Sequence, residues 1–327
     1  MDTHMTLNET QGLVISKTTG AYGVMITPLA LPRHSAAERL RDHPSAAASA
    51  ELLSCHLNSR LRPDQVVVGD QVRLAGGQIV AVLPRRNQLA RRGVPSRAGA
   101  HTFQQVIAAN VDQVAPVFAA ASPAPTWNLL DRYLALAESL ALPALIVLTK
   151  TDLARGTAAG ELGAALDEYR RLGYRVAGTS AQSGAGLDEL RAALSGRVTL
   201  LLGKSGVGKT SLLNLLEPGL GLRVAGVSAA TGKGRHTTTQ VALFPLAGDD
   251  AGGVIDTPGT REFGLWDVDP DELALFFPEM RPLVGQCKFG LDCRHDEEPG
   301  CAIRQAVLAG AISPRRYQSY MRLRAEN

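Results

Sequence analysis

No apolar run in the 327 residues approaches the roughly 20 that a membrane-spanning helix needs, so a membrane-embedded protein is not expected. Residues 1–20 are polar and hold no hydrophobic signal-peptide core, which makes the cytoplasm the expected location. No internal repeat is present. Cysteine is scarce, at four residues, and three of the four stand within fifteen positions beside a histidine. In a reducing compartment such a cluster points to a metal rather than to disulfides. Net charge is small, +3, from 34 Lys and Arg against 31 Asp and Glu. That balance hides an unevenness, since residues 1–100 carry 12 basic against 7 acidic side chains. The excess is sharpest at Arg85, Arg86, Arg91, Arg92 and Arg97, which suits a polyanionic partner. The remaining composition, 45% apolar and 20% charged, is that of a soluble globular chain of two or three domains.

The chain divides into three expected units. Residues 1–99 hold short, glycine-punctuated apolar stretches without helical period, which predicts a small β-barrel. Strands are expected near residues 12–15 and 22–26, a strand pair over 65–74 with a Gly-Asp turn, and a strand over 78–83. Between them, residues 31–62 are rich in Ala, Ser, Arg and His and read as a flexible or partly helical insertion. Residues 100–269 alternate buried-type apolar runs with helical stretches, which predicts an α/β unit with a mainly parallel sheet. Residues 270–327 contain the Cys/His cluster and two helical stretches.

Two motifs carry the chemistry. Gly203-Lys204-Ser205-Gly206-Val207-Gly208-Lys209-Thr210 fits the phosphate-binding loop GxxxxGK[ST], here between an expected strand and an expected helix. Its glycines let backbone N–H groups face phosphates, and the helix adds its positive end. Lys209 is placed to reach the β- and γ-phosphates, and the Thr210 hydroxyl to ligate Mg²⁺. Thr149-Lys150-Thr151-Asp152 resembles the [N/T]KxD element that reads guanine. Asp152 can accept from guanine N1 and N2, which adenine cannot match, and Lys150 can cover the ring. Thr179-Ser180-Ala181 adds a second guanine loop, with the Ala181 N–H placed for O6. In an ordinary GTPase the phosphate loop comes first; here it follows the guanine motif, so the chain reads as circularly permuted.

The switch elements follow the phosphate loop. Asp256-Thr257-Pro258-Gly259 ends an expected strand; Asp256 would hold the metal through water, and the Gly259 N–H would sense the γ-phosphate. Gly234-Arg235-His236-Thr237-Thr238-Thr239 lies before it, and one of its threonines can close onto Mg²⁺. Spacing does not choose among the three; Thr238 is taken as the candidate. After the DxxG element many GTPases place a glutamine, and Thr260 stands there instead. His236 is the nearest motif-borne residue that could orient the attacking water.

Cys287-x5-Cys293-x-His295-x5-Cys301 offers three thiolates and one imidazole, a set suited to one tetrahedral, structural Zn²⁺. Cys55 has no such neighbours and reads as a free thiol.

Together these pieces resemble the RsgA (YjeQ/YloQ-type) GTPases that depend on the small ribosomal subunit. The matching residues include Val68-Gly69-Asp70, Val82-Leu83-Pro84-Arg85-Arg86, Ala109-Asn110-Val111-Asp112-Gln113, the guanine motifs, Gly206 through Ser211 to Asn214, the His236 segment, Asp256 to Gly259 and the cysteine cluster. They run in family order over residues 12–305. The resemblance implies an OB-type barrel, a permuted P-loop GTPase domain and a C-terminal helical zinc-binding domain. It implies GTP hydrolysis to GDP stimulated by the small ribosomal subunit during its late maturation, with rRNA contacts. It also gives His236 a role in hydrolysis. Arg85, Arg86, Arg91 and Arg92, at the end of the barrel, are the residues assigned to RNA, and a monomer is the default state. Two other readings fit the residues: a GTP-occupancy switch with negligible hydrolysis, and a GTPase with a protein or membrane partner.

Overall fold

The fold is taken from a computed structural model, which describes residues 10–26, 51–93, 103–222, 241–246, 252–257, 265 and 268–326. For residues 91–93 and 103 only the backbone is described. Five strands close the first unit into a barrel: β1 (Thr10–Lys17), β2 (Tyr22–Ile26), β3 (Glu51–Leu57), β4 (Gln71–Ala75) and β5 (Gln78–Val82). β1 pairs antiparallel with β2 and β4, β2 antiparallel with β3, β3 parallel with β5, and β4 antiparallel with β5. Val14, Tyr22, Val24, Cys55, Val72, Leu74 and Ile79 fill its centre. Cys55 is buried and free.

Two expectations for this unit need correction. Part of the presumed insertion, Glu51–Leu57, is the third barrel strand. Alternation places Leu53, Cys55 and Leu57 toward the core, while Leu52 and Ser54 face out or lie at the rim. The expected strand pair over 65–74 is not one either. Pro63–Gln65 form a single 3₁₀ turn, and only β4 is a strand there. Proline lacks the N–H a ladder needs, and the following backbone divides its bonds between side chains, Val14 of β1 and Ala109. The Asp70 carboxylate accepts from Val67 N at 2.8 Å. Gly69 sits at φ +90, and a Cβ there would lie 2.1 Å from the Ala109 carbonyl oxygen.

That close approach ties the barrel to a two-stranded ribbon, β6 (Gln88–Gly93) with β7 (Phe103–Ala109). Arg85 fastens the same seam. Its Nε and Nη2 donate to Asp70 at 2.7 and 2.9 Å, and Nη2 also reaches the Gln65 carbonyl. Asn110 donates to the Gly69 carbonyl and accepts from Arg86 N, both at 2.9 Å.

The central unit is a six-stranded sheet in the order β10-β9-β8-β11-β13-β12. Its strands are β8 (Gln113–Ala119), β9 (Leu145–Thr149), β10 (Arg175–Gly178), β11 (Val198–Leu202), β12 (Ala242–Pro245) and β13 (Gly253–Asp256). All neighbours are parallel except β12 with β13. β8 and β9 are buried along their whole length, as continuous apolar runs predict for strands covered on both faces. Helices α1 (Trp127–Ser139), α2 (Gly156–Arg171), α3 (Leu187–Leu194) and α4 (Lys209–Leu216) supply the covers. β12 also meets barrel strand β1 at Ser16↔Ala242, so barrel and central sheet form one eleven-stranded sheet.

The C-terminal unit has few regular elements besides α5 (Ala302–Leu308) and α6 (Pro314–Glu326). A buried ion-pair network docks it on α1 and α2. Arg316, 1% exposed, donates to Asp131 at 2.6 Å and twice to Glu279 at 2.7 and 3.0 Å. Tyr169 donates to the same Asp131 oxygen at 2.6 Å and accepts from Arg315 at 2.7 Å. Two guanidiniums hold three carboxylates here, Glu168 pairing with Arg315 at 2.5 Å, while Asp131 Oδ2 has no hydrogen bond and lies 3.9 Å from Arg315. Losing one partner would leave a buried charge uncompensated.

Candidate functional site

β9 and β11 flank β8 and run parallel, so their C-terminal ends open on one edge of the sheet. The guanine motif leaves β9 and the phosphate loop leaves β11. Residues far apart in sequence thus meet where ligands bind in open α/β sheets.

The loop itself is shaped by glycine. Gly206 and Gly208 take φ +83 and +99, which L side chains rarely adopt. Lys209 opens α4 and folds back over the loop, with Nζ 2.6 Å from the Gly203 carbonyl and 3.2 Å from that of Lys204. Burial lowers its pKa, and the nearby Asp256 carboxylate opposes that fall. An anion at the loop would relieve the same desolvation cost. Asp256, at the end of β13, is 2% exposed. Thr210 follows Lys209 in the first turn of α4, so a hydroxyl and a carboxylate are available for a hard cation.

The guanine motif is bonded directly to the phosphate loop. The Thr149 hydroxyl lies against the Val207 carbonyl and 3.1 Å from that of Phe118. Lys150, in the left-handed region at φ +54, sends its ammonium to the Gly206 carbonyl at 2.8 Å and to the Ser122 carbonyl. Ser180 donates to Asp152 at 2.6 Å and accepts from Gln182 N and Ser183 N, each at 3.2 Å. That bond fixes one carboxylate oxygen, a positioning role the sequence reading missed. Thr151 N donates to the Thr179 carbonyl at 3.2 Å, which holds the two guanine loops together. Ala181 follows Ser180 in this loop. Gly203, Lys204, Ser205, Gly206, Val207, Gly208, Lys209, Thr210 and Ser211 all belong to the loop and the start of α4. His236, Thr238 and Gly259 lie outside the described residues.

The cysteine cluster is assembled as well. The Cys287, Cys293 and Cys301 sulfurs and a His295 ring nitrogen lie within 4.8 Å of one another, and all four residues are buried. Cys287 Sγ is 3.9 Å from Cys301 Sγ, and His295 Nδ1 is 3.5 Å from each. Zinc bonds of about 2.3 Å to sulfur and about 2.0 Å to nitrogen imply tetrahedral edges of about 3.8 and 3.5 Å, so the cluster fits a zinc site. Gly290–Asp292 form a 3₁₀ turn that takes up the five-residue spacing between Cys287 and Cys293. His295 enters at φ +62. Ala302 N and Arg304 N donate to the Cys287 and Cys301 sulfurs at 3.3 and 3.5 Å. Burial pushes the Cys293 thiol up to about 12, so its thiolate calls for a cation.

The arginines assigned to RNA behave differently from one another. Arg85 is held by Asp70 inside the seam and is 19% exposed. Arg86 pairs with Asp112 at 2.7 Å yet stays 59% exposed. Arg91 and Arg92 lie on β6, and Arg97 lies outside the described residues.

A phosphate loop and a guanine motif in reversed chain order on one parallel sheet define a circularly permuted P-loop GTPase, here with an OB-type barrel in front. The family model described as RsgA GTPase matches residues 82–266. A Pseudomonas aeruginosa protein named small ribosomal subunit biogenesis GTPase RsgA is 45% identical over 284 residues, covering 85% of this chain and 80% of the relative. The protein of that name from Gemmatimonas aurantiaca is 44% identical over 289 residues, covering 84% and 91%. The crystal structure of YjeQ from Thermotoga maritima superposes with a TM-score of 0.72 at 30% identity, over 97% of this chain and 98% of that one. YloQ, described as a circularly permuted GTPase, gives 0.68 at 26% identity, over 100% and 97%. The chain belongs to the RsgA GTPase family. Among the described residues no helix is long and apolar enough to cross a membrane.

Proposed function

We propose that this GTPase binds the small ribosomal subunit, promotes its late maturation, and turns over GTP faster when the subunit is bound. The relatives' shared name supports the partner. One observation carries the nucleotide half: Thr149 and Lys150 bond to the Val207 and Gly206 carbonyls, so guanine reading and phosphate binding form a single rigid site. Asp152, held by Ser180, accepts from the guanine edge, and the wrong base leaves that charge unpaired. Lys209 and the loop amides hold the β- and γ-phosphates. Thr210, Asp256 and Thr238 would hold Mg²⁺, which neutralises charge on the phosphate oxygens. Gly259 senses the γ-phosphate, and His236 orients the attacking water. The barrel, with Arg86, Arg91 and Arg92, contacts rRNA, while Arg85 holds the barrel seam. Zinc, one ion on Cys287, Cys293, His295 and Cys301, is structural, because four protein ligands leave no open position.

The test is GTP turnover with and without purified small subunits, with large subunits as control. Stimulation of tenfold or more by small subunits alone is expected. Tight GTP binding without stimulation would defeat the proposal and favour an occupancy switch or another partner.

A further inference from the structure

The nucleotide site leaves a second cavity unexplained. It lies between the start of α1 and the C-terminal helix α6 and has a volume of about 280 Å³. Thr126, Trp127 and Asn128 line it from α1, and Arg315, Ser319 and Arg322 from α6; no carboxylate does. α1 is 13 residues long, carries no acidic residue in its first turn and has no side-chain cap. The Thr126 hydroxyl, which would ordinarily cap it, is instead held by Lys204 of the phosphate loop at 2.9 Å. The positive end of the helix therefore faces the cavity without an anion.

Ser319 adds a polar group whose oxygen opens into the cavity. It is 3% exposed, lines the cavity, and its hydroxyl has no hydrogen-bond partner among the described residues. Arg322 stands exposed at the mouth with no ion pair among the described residues. Arg315 lies 5.1 Å from the centre of the Trp127 ring, so cation and indole form one wall. Arg315 is already bound to Glu168 and Tyr169, so the unpaired Arg322, the helix start and the Ser319 hydroxyl are the groups that suit a phosphate, and the indole beside them suits a base or sugar. The volume is near the lower end of small-ligand sites, about 300 Å³, and so matches one nucleotide unit.

We infer that this cavity binds one phosphodiester unit of RNA, an inference that rests on the ribosomal reading above. It gives the joint between central and C-terminal units an RNA contact separate from the barrel, linked to the phosphate loop through the Lys204 bond to Thr126.

The test uses Arg322→Ala in the full chain, with Arg171→Ala on α2 as an equal charge loss elsewhere. Binding to purified small subunits is measured across a salt series, with GTP turnover in the absence of subunits as a check on the nucleotide site. Arg322→Ala should weaken binding about fivefold and lower the slope of log affinity against log salt by about 0.7–0.9. Arg322→Lys should restore most of the slope, since a phosphate contact needs the charge. Unchanged affinity and slope in Arg322→Ala, or equal losses in Arg171→Ala, would overturn the site. If the unsubstituted protein itself fails to bind small subunits, the ribosomal reading falls first, and that outcome is visible before any variant is compared.

Discussion

The Cys/His cluster and the nucleotide site are built on opposite plans. All four cluster ligands fall within fifteen residues and are brought together by local turns, a 3₁₀ turn before Cys293 and a left-handed His295. The nucleotide site draws on β9, β10, β11 and β13, and its parts meet only because parallel strands end on one edge. A local site of this kind would stand or fall with the ion it holds. A distributed site stands with the sheet and loses function piece by piece.

Each plan fails in its own way. The largest effect should come from the cluster. Chelation, or Cys301→Ser, should remove folding energy on the order of 10 kcal/mol from the C-terminal unit. Helical signal from α5 and α6 should fall while GTP binding survives; an unaltered melting profile in a metal-free sample would sink the local plan. Next comes Lys209→Ala, expected to lower GTP turnover by about a thousandfold without shifting the melting temperature. Turnover within tenfold of the unsubstituted protein would remove Lys209 from the phosphate site.

The joint between the two regions should respond more modestly. Arg316→Met leaves Asp131 and Glu279 buried without their cation and should cost about 3 kcal/mol in chemical denaturation. The double change with Asp131→Leu should recover part of that loss. If the single and double variants are equally unstable, the pair is not what docks the unit. The smallest effect belongs to Ser180→Ala, which frees one Asp152 oxygen and should weaken GTP about fivefold, or about 1 kcal/mol. Adenosine nucleotides should be unaffected, so equal weakening of ATP and GTP would count against a guanine-specific role.

Much of this was legible in the sequence because motif chemistry is local. The phosphate loop, Thr149 to Asp152, and the four cluster ligands could be placed from spacing alone. β8 and β9 could be placed from unbroken apolar runs. Three kinds of feature were not. Glu51–Leu57 lies beside an Ala- and Ser-rich stretch, and its short alternation of Leu53, Cys55 and Leu57 is a weak signal. Residues 63–70 carry β-type side chains, but a proline, a left-handed glycine and a buried Asp70 override that propensity. The role of Arg85 depends on a partner fifteen positions away, and that of Arg316 on one 185 positions away. Charge clusters read alike whether they face solvent or an internal carboxylate. One clue was present for Arg316: Asp131 interrupts the apolar face of α1, where an acid must find a cation.

The shared strand has a mechanical consequence. β12 is the first described strand after the expected switch segment, and it is bonded on one side to β13 and on the other to β1 of the barrel. Barrel and GTPase sheet are thus coupled in series like links of one chain rather than as beads on a string. A slide of β12 along its own axis cannot be absorbed locally. One step is about 3.3 Å and would turn its side chains to the opposite face. The displacement must either break the Ser16↔Ala242 contact or carry the barrel with it. Whatever grips the barrel therefore also sets the tension on the strand that follows the expected switch segment.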